Sequence, residues 1–323
     1  MRKRLHNHIA ESILTIYLCS FYGPITWITN GLVSRQLWLQ FILMAITNCI
    51  LIAMNKQFVL LRTRSWMITS VFILLSACCG FTYASMDAGV VGICAVTGLF
   101  FLFLTYQSPG DAGNTYFAYL TVGIASLFFV QSLYSVPLLW LFTPLFLQSM
   151  NLHTWLASLL GLLTPYWFLF PWYLYHLDYE TMFTHFLPLF HWQSPEADFS
   201  LMPVQIVMFI LIAVLAIIGA FNFWSRSYEE RIRTRQFYSF LQWLGLAVAS
   251  FIILQPQHFN VLIRVVLVCA SPFIAHFFTF NPTKLASYLF YVTAVLVFTF
   301  SIICTNESLM DHVNSYLLQI WNA

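Results

Sequence analysis

Acidic and imidazole side chains are concentrated in residues 176–191, a stretch that is otherwise mostly aromatic and aliphatic. Asp178, Glu180 and His185 carry groups suited to general acid–base catalysis, because a carboxylate or an imidazole can take up a proton and return it. These three residues are the catalytic candidates. Three neighbours are candidates for contacting a substrate: His176, His191 and Trp172. The alternative is that the whole set is solvated on an interfacial loop.

The spacing within this stretch predicts a helix and no metal site. The three histidines are nine and six positions apart, unlike the H-E-x-x-H pattern that places two ligands on one helical face. We therefore expect no metal and no other cofactor. Apolar residues recur at helical intervals at positions 182, 183, 186, 187 and 190. This pattern predicts a short helix lying flat in the membrane interface, ended or kinked by Pro188 and able to cover a substrate opening.

Two arginines are candidates for holding an anionic group. Arg264 lies about five residues into a predicted span, and ionisable groups at membrane depth are costly unless they face a cavity or a partner. We expect Arg264 and Arg35, on the outer side with the histidines, to bind a phosphate, pyrophosphate or carboxylate. The alternative for Arg264 is a side chain that snorkels to the interface along its aliphatic stem.

The composition places these side chains in a lipid bilayer. The chain has 323 residues, of which 60% are hydrophobic and 7% charged, and its mean hydropathy is +0.80. A helix needs roughly 20 mostly apolar residues to cross the hydrocarbon core. The sequence predicts an all-α polytopic transmembrane helical bundle, a single membrane domain over residues 1–323. About eleven spans are predicted: 11–30, 37–54, 65–84, 88–106, 116–134, 136–150, 154–175, 203–224, 238–254, 259–280 and 284–304.

Basic residues define the predicted orientation, because cytoplasmic loops are enriched in Lys and Arg. The N-terminus, read as a retained first helix, is expected inside and the C-terminus outside. The outer loop is 176–202 and the cytoplasmic loop 225–237. Pro137 and Pro144 interrupt the run 116–150, which is read as two short helices or as one helix and a re-entrant hairpin. The residues assigned to the inner side are Arg2, Lys3, Arg4, Lys56, Arg62, Arg64, Arg226, Arg231, Arg233, Arg235 and Lys284.

Polar residues inside the predicted spans are few. No Asp or Glu lies at mid-depth, which counts against ion-coupled transport, and His276 is expected to be a hydrogen-bonded packing residue. In the cytoplasmic loop, Glu229 lies four residues before Arg233. Glu230 lies four residues after Arg226, and a helical extension of the span would pair both carboxylates.

Cysteines and glycines of the spans are read as packing residues. The seven cysteines all fall in predicted spans and form no C-x-x-C, so disulfides are not expected. Gly123 and Gly161 are among the small residues expected to allow close helix contact. No P-loop, G-x-G-x-x-G, G-x-S-x-G or kinase signature occurs, which argues against ATP hydrolysis and dinucleotide chemistry. Nucleic acid is not an expected partner.

Three segments resemble a family of polytopic bacterial inner-membrane proteins of unknown function. They are Asn55-Lys56 before the third span, Gly123-Ile-Ala-Ser-Leu-Phe-Phe129 with the following Pro137, and Gly161-Leu-Leu-Thr-Pro-Tyr166. This resemblance implies an inner-membrane protein of about this length. The chain is also similar to O-antigen polymerases and ligases, which combine many spans with an outer loop, arginines and a histidine. That similarity implies a lipid-linked glycan as substrate.

Three functional hypotheses follow from these features. The first is the handling of a lipid-linked envelope precursor at the outer leaflet of a bacterial inner membrane, with membrane lipids and a polyprenyl-phosphate-linked substrate as partners. The second is a small-molecule or lipid transporter or flippase without enzymatic chemistry. The third is a structural subunit of a complex with other membrane proteins, motivated by the scarcity of deep polar residues. Glycan transfer would make the protein an enzyme, and the other two functions would not.

Overall fold

The computed structural model describes residues 4–63, 65–176, 179–190, 201–305, 309–310 and 312–315. Over these residues the chain is all-helical and contains no strand, which confirms the predicted fold class in its coarse form. The α-helices are α1 Leu5–Glu11, α2 Ile13–Thr29, α3 Trp38–Phe58, α4 Met67–Cys78, α5 Met86–Leu104, α6 Ala112–Phe128, α7 Ser135–Phe142, α8 Leu152–Tyr175, α9 Tyr179–Phe186, α10 Pro203–Ser225, α11 Ile232–Leu254, α12 Phe259–Phe280 and α13 Lys284–Thr305.

Seven helical segments of the described chain are long and apolar enough to cross a membrane. They are α3, α5, α10, α11, α12 with the turn before it, α13, and Val130–Leu147, which contains α7. Helices α1 and α2 together would make an eighth span, although they meet at a bend of 71°. Length and composition therefore indicate a multi-pass membrane protein, and the eleven predicted spans are not confirmed.

Two of the other predicted spans are shortened or broken near the start of the chain. Segment 11–30 is interrupted at Ser12, where an extended backbone with ψ 141° separates α1 from α2. Segment 65–84 contains only the 12 residues of α4, because the chain leaves the helix at Cys79 and continues as a 3-10 turn. Neither segment is a single straight helix of bilayer length.

Two further predicted spans differ in the middle of the chain. Segment 116–134 corresponds to α6, which has 17 residues and ends where Phe129 becomes extended. Segment 154–175 corresponds to α8, a helix of 24 residues that contains Pro165 and Pro171. Proline, serine, threonine and aromatic residues dilute the apolar character of α8, and it is not among the seven candidate spans.

The chain folds into two compact units. Unit 1 comprises Met1–Gly89 and Phe199–Ala323, and unit 2 comprises Val90–Asp198. Helix α5 begins in unit 1 and continues in unit 2. A single membrane domain over the whole chain stays a prediction.

Helix α12 is the central helix of unit 1. It packs against α4, α10 and α11, and almost every side chain from Leu262 to Thr279 is buried, as expected for a helix that is apolar on all sides. Pro272 lacks an amide hydrogen, so the carbonyl group of Val268 loses its helical donor. The hydroxyl of Ser271 donates to that carbonyl at 3.3 Å, which compensates for the loss within the core.

Several basic residues lie together at one end of unit 1. At this end, which we call the Arg62 end, Arg62 donates to the Glu229 carboxylate at 2.7 Å. Arg226 donates to the Phe280 carbonyl at 3.1 Å at the same end. Helix α2 runs from there to the opposite end, which carries Arg35 and which we call the Arg35 end. Basic residues that the sequence assigns to one side of the membrane thus meet at one end of the unit.

The helical extension predicted for the cytoplasmic loop is wrong. Residues Ser227–Glu229 form one 3-10 turn, and Glu230 is extended with ψ 151° before α11 begins at Ile232. The turn lets the Glu229 carboxylate reach Arg62 in another loop. Extended backbone at Glu230 directs the next carboxylate into the unit instead.

Helices α6 and α8 of unit 2 pack with their backbones in close contact. A Cβ atom added to Gly123 would lie 2.8 Å from the Leu162 carbonyl oxygen, and one added to Gly161 would overlap the Tyr116 carbonyl oxygen. Only glycine fits such an approach, so the expectation that these two glycines allow close helix contact is confirmed.

The short helix predicted within residues 176–191 is also present in unit 2. Helix α9 is followed by a 3-10 turn over Leu187–Leu189, which contains Pro188. The prediction of a helix that ends at this proline is confirmed. Its placement in a membrane interface stays a prediction.

Candidate functional site

The Arg35 end of unit 1 contains a cavity of about 660 Å³. Its lining contains polar and aromatic side chains, including Thr29, Asn30, Ser34, Arg35, Phe81 and Tyr83. The described residues that line it include no Asp or Glu. The volume lies within the range of roughly 300–1,000 Å³ that is usual for small-molecule sites. A guanidinium in the lining of a cavity suits a negatively charged group.

A tight turn at the end of α2 presents Arg35 to this cavity. The amide of Leu32 donates to the Trp27 carbonyl at 3.0 Å. The amide of Gly31 donates to the Ile28 carbonyl at 3.1 Å, which completes a Schellman motif. Gly31 has a φ of +85°, a conformation that a side chain would oppose. The amide of Arg35 then donates to the Gly31 carbonyl at 2.8 Å, so the position of the arginine depends on this glycine.

Tyr83 contributes a fixed aromatic surface to the cavity wall. Its ring stacks on Trp27 with centroids 3.9 Å apart and planes at 3°. The hydroxyl of Tyr83 shares a hydrogen bond of 3.1 Å with the Thr26 hydroxyl. Both rings are buried. Stacking on one side and a hydrogen bond at the tip hold Tyr83 in one orientation.

Arg264 is buried next to this wall. It is 5% exposed, and its Nη2 donates to the carbonyl oxygen of Thr82, the residue before Tyr83, at 3.1 Å. None of the ion pairs among the described residues involves Arg264. Such burial does not fit the snorkelling alternative, and an unneutralised buried cation is costly unless an anion approaches it.

Two of the three predicted catalytic residues are described, and both belong to unit 2. Glu180 is exposed on α9, whereas the ring of His185 lies 6.2 Å from that of Tyr166 on α8. The Nε2 atom of His185 is buried and has no hydrogen-bond partner among the described residues. Asp178 lies outside the described residues. The two described side chains therefore have different surroundings, and their catalytic roles stay predictions.

The predicted substrate-contacting residues are divided between the units. Arg35 lines the cavity of unit 1 and Arg264 adjoins it. His176 and Trp172 belong to unit 2, where both are exposed and the Nδ1 atom of His176 donates to the Trp172 carbonyl at 2.9 Å. The centroids of the two rings are 4.4 Å apart at the C-terminal end of α8. His191 lies outside the described residues.

A buried acid–imidazole pair at the Arg62 end was not expected. The Nε2 atom of His276 lies 3.2 Å from Oε1 of Glu230, and the two residues are 2% and 8% exposed. The rings of Phe223 and Tyr238 enclose His276. Arg62 Nε is 3.8 Å from the same carboxylate oxygen. The prediction that His276 is hydrogen-bonded is confirmed, but its partner is a carboxylate that the sequence placed in a solvated loop.

The described residues include no group of three or more His, Cys, Asp or Glu side chains that could hold a metal ion. The seven cysteines are free, and Cys49 is the exposed one. The guanidinium of Arg35 and the neighbouring polar groups that line the cavity can bind an anion.

Comparisons with known proteins find no match for this chain. No family model matches the chain, and neither a curated protein nor a solved structure matches it. The resemblance to the bacterial inner-membrane family and to O-antigen polymerases and ligases therefore stays a prediction.

Proposed function

We propose that this protein is a multi-pass protein of a bacterial inner membrane that binds an anionic amphiphile, such as a lipid-linked envelope precursor, at the outer leaflet. The phosphate or pyrophosphate of that molecule occupies the cavity of unit 1. Arg35 contacts the phosphate, and Arg264 stabilises it at longer range. One observation carries the proposal: a cavity lined by an arginine adjoins a second, buried arginine that no described carboxylate neutralises.

Phosphate is the anion that this arrangement suits best. A guanidinium forms two parallel hydrogen bonds with phosphate oxygens, and such charge-assisted bonds are roughly twice as strong as neutral ones. Asn30 also lines the cavity and adds a polar side chain to it. Buried positive charge from Arg264 is screened less by salt than charge at a surface. Both arginines therefore favour a dianionic or diphosphate group over a neutral one.

The outer side is proposed for the Arg35 end because of the charge distribution. Arg62 and Arg226 lie at the opposite end of unit 1, and basic residues are enriched on the cytoplasmic side of membranes. The cavity would then open to the outer leaflet, where lipid-linked envelope precursors are consumed. A glycan-transfer step would need a base from Asp178, Glu180 or His185. If His185 is that base, His185→Ala should abolish turnover but leave lipid binding intact.

The test is the identity of the lipid that the protein retains. The protein would be extracted into native nanodiscs, and its retained lipids identified by mass spectrometry for wild type, Arg35→Gln and Arg231→Gln. Arg231 is an exposed basic residue at the start of α11 and serves as the matched control. We expect a phosphorylated amphiphile enriched by wild type and by Arg231→Gln and depleted in Arg35→Gln. Retention of bulk lipid alone, identical in all three, would overturn the proposal.

A second candidate, a proton-dependent transporter without enzymatic chemistry, is favoured by the pair of Glu230 and His276. Buried ionisable pairs in membrane proteins often serve as proton relays. This function predicts that a cysteine placed at Ser34 in the cavity changes its accessibility to an outside thiol reagent when the pH is changed. The change should disappear in Glu230→Gln. A labelling rate that is constant with pH in the parent would exclude this candidate.

A further inference from the structure

A second concave surface of unit 1 begins beside the cavity. It is a groove of about 230 Å³ whose lining includes Trp27 and Tyr83, and Tyr83 also lines the cavity. The stacked pair of Trp27 and Tyr83 therefore stands between the two spaces. The groove starts at the Arg35 end and continues toward the middle of the unit.

The groove exists because small residues face each other across two helices. Helix α2 contributes Ser20 and Gly23, and α3 contributes Ala45 and Cys49. Helix α4 packs against both α2 and α3 and closes the back of the groove. Ser20, Ala45 and Cys49 are exposed on the open side. Large apolar side chains flank this opening on the outer faces of α2 and α3, including Leu18, Phe21, Ile42 and Ile46, so the groove opens toward lipid.

The length of the groove matches one leaflet. Its lining on α2 extends from Ile16 to Trp27, and its lining on α3 extends from Phe41 to Ile52. Each stretch rises about 16 Å at ~1.5 Å per residue. Half of the hydrocarbon core is about 15 Å thick. A hydrocarbon chain that starts at the Arg35 end would therefore be accommodated to the depth of the bilayer centre.

Two polar side chains of the groove wall donate to carbonyl groups of their own helices. Asn48 donates through Nδ2 to the Met44 carbonyl at 2.9 Å, and the Ser76 hydroxyl donates to the Ile73 carbonyl at 2.8 Å. With these donors satisfied, the surface offered to an occupant is mostly apolar. It suits a hydrocarbon chain better than a sugar or a peptide.

We infer that this groove binds one hydrocarbon chain of the same amphiphile whose phosphate occupies the cavity, so that Trp27 and Tyr83 contact the junction between head and chain. The inference rests on the proposed function, because it assigns the chain of the molecule whose headgroup that function places at Arg35. It goes further by stating that recognition is bipartite. The protein would recognise both the negative charge of the headgroup and one extended hydrocarbon chain bound in the groove of unit 1.

The experiment uses the full-length protein in nanodiscs doped with a phosphatidylglycerol that carries a photoactivatable diazirine midway along one acyl chain. After irradiation, the labelled peptides are identified by mass spectrometry. Ala45→Trp places a bulky ring in the groove. Ile46→Trp is the matched control, because Ile46 is the next residue along α3 and its side chain is exposed. We expect labelling of the peptides that contain Ser20 and Cys49, reduced about tenfold in Ala45→Trp and unchanged in Ile46→Trp.

Two outcomes would overturn the inference, and each is distinct from failure of the proposed function. Labels spread evenly over the exposed faces of α2 and α3 would mean that only annular lipid reacted. Equal labelling in Ala45→Trp and Ile46→Trp would mean that the groove is not the site. A phosphatidylcholine with the same diazirine chain separates the two claims. Both lipids carry a phosphodiester, but only phosphatidylglycerol has a net negative charge. Equal groove labelling by both lipids would therefore support a chain site but contradict selection of an anionic headgroup at Arg35.

Discussion

The Nη2 atom of Arg264 donates a hydrogen bond to the carbonyl oxygen of Thr82 at 3.1 Å, from a side chain that is 5% exposed. The contact places a buried positive charge against the short segment that also supplies Phe81 and Tyr83 to the cavity. Since no ion pair among the described residues neutralises it, the guanidinium is expected to cost stability in the empty protein and to gain interaction energy when an anion is bound.

Arg264→Met tests this balance. Removal of an uncompensated buried charge should leave the thermal stability of the ligand-free protein unchanged or raise it. Stabilisation by an added anionic amphiphile, for example dodecyl phosphate, should be smaller than in wild type, because stabilisation by a ligand follows its affinity. Thermal unfolding with and without dodecyl phosphate measures both effects. A lower melting temperature with undiminished stabilisation by dodecyl phosphate would show that Arg264 is structural.

Gly31→Ala tests the turn that positions Arg35. A non-glycine residue in the left-handed conformation costs roughly 1–2 kcal/mol, and an added Cβ would lie 2.8 Å from the Ser34 hydroxyl. We expect a loss of stability of that size together with weaker binding of an anionic amphiphile. Gly110→Ala is the control, because an added Cβ there meets no atom within 4 Å. Equal melting temperatures for the two variants would argue against the Schellman turn.

Gly161→Ala tests the contact between α6 and α8 in unit 2. The added methyl group would overlap the Tyr116 carbonyl, and overpacking of this kind typically costs ~1–3 kcal/mol. Gly113→Ala on α6 is the control, since its nearest atom is the Asp111 carboxylate at 3.9 Å. Thermal unfolding in nanodiscs should show a clear decrease only for Gly161→Ala. Similar values for both would mean that the helices are farther apart than described.

The ion pair of Arg62 and Glu229 predicts a weak dependence of stability on acid. The hydrogen bond from Arg62 lowers the pKa of the Glu229 carboxyl below its ordinary value of 4.5. A carboxyl with a lowered pKa adds stability above its unfolded-state pKa, and this stability is lost as the pH falls through the folded-state value. Both side chains are partly exposed, so the contribution is expected to be about 0.2–1 kcal/mol.

Stability curves for wild type, Glu229→Gln, Arg62→Gln and the double variant check this prediction. Wild type should lose more stability than Glu229→Gln when the pH is lowered from about 6 to about 3. The two single substitutions should not add in the double variant, because each removes the same interaction. Parallel acid curves for wild type and Glu229→Gln would be inconsistent with the pair.

The sequence predicted the helical class and six of the seven candidate spans, because bilayer length and hydropathy are local properties. The seventh, Val130–Leu147, joins the end of the predicted segment 116–134 to most of 136–150. It did not predict the break at Ser12, which depends on a single extended residue. In the cytoplasmic loop, Glu229 and Glu230 were expected to pair with arginines four residues away, but they contact residues that are distant in the sequence. Glu230 meets His276 across 46 positions of the chain, and such contacts depend on how helices pack.

The candidate site was predicted in part. Arg35 and Arg264 were singled out because cations are rare outside the basic loops, and burial of Arg264 follows from its place on a helix that is apolar on all sides. The partner of Arg264 is the backbone carbonyl of Thr82, 182 positions away. No side-chain pattern encodes a backbone carbonyl as partner. Nor does any sequence pattern show that Trp27 and Tyr83 stack between a cavity and a groove.

The most direct measurement of the central claim is a competition between two lipids that differ only in headgroup. Native mass spectrometry would count phosphatidylglycerol and phosphatidylcholine of identical chains bound to wild type, Arg35→Gln and Arg231→Gln. Both headgroups carry a phosphodiester, and only phosphatidylcholine adds an ammonium that cancels its charge. If that difference is worth about 1.4 kcal/mol at Arg35, wild type and Arg231→Gln should prefer the anionic lipid by about tenfold. Arg35→Gln should lose most of that preference. Equal binding of the two lipids by wild type, or an unchanged preference in Arg35→Gln, would contradict an anion site at Arg35.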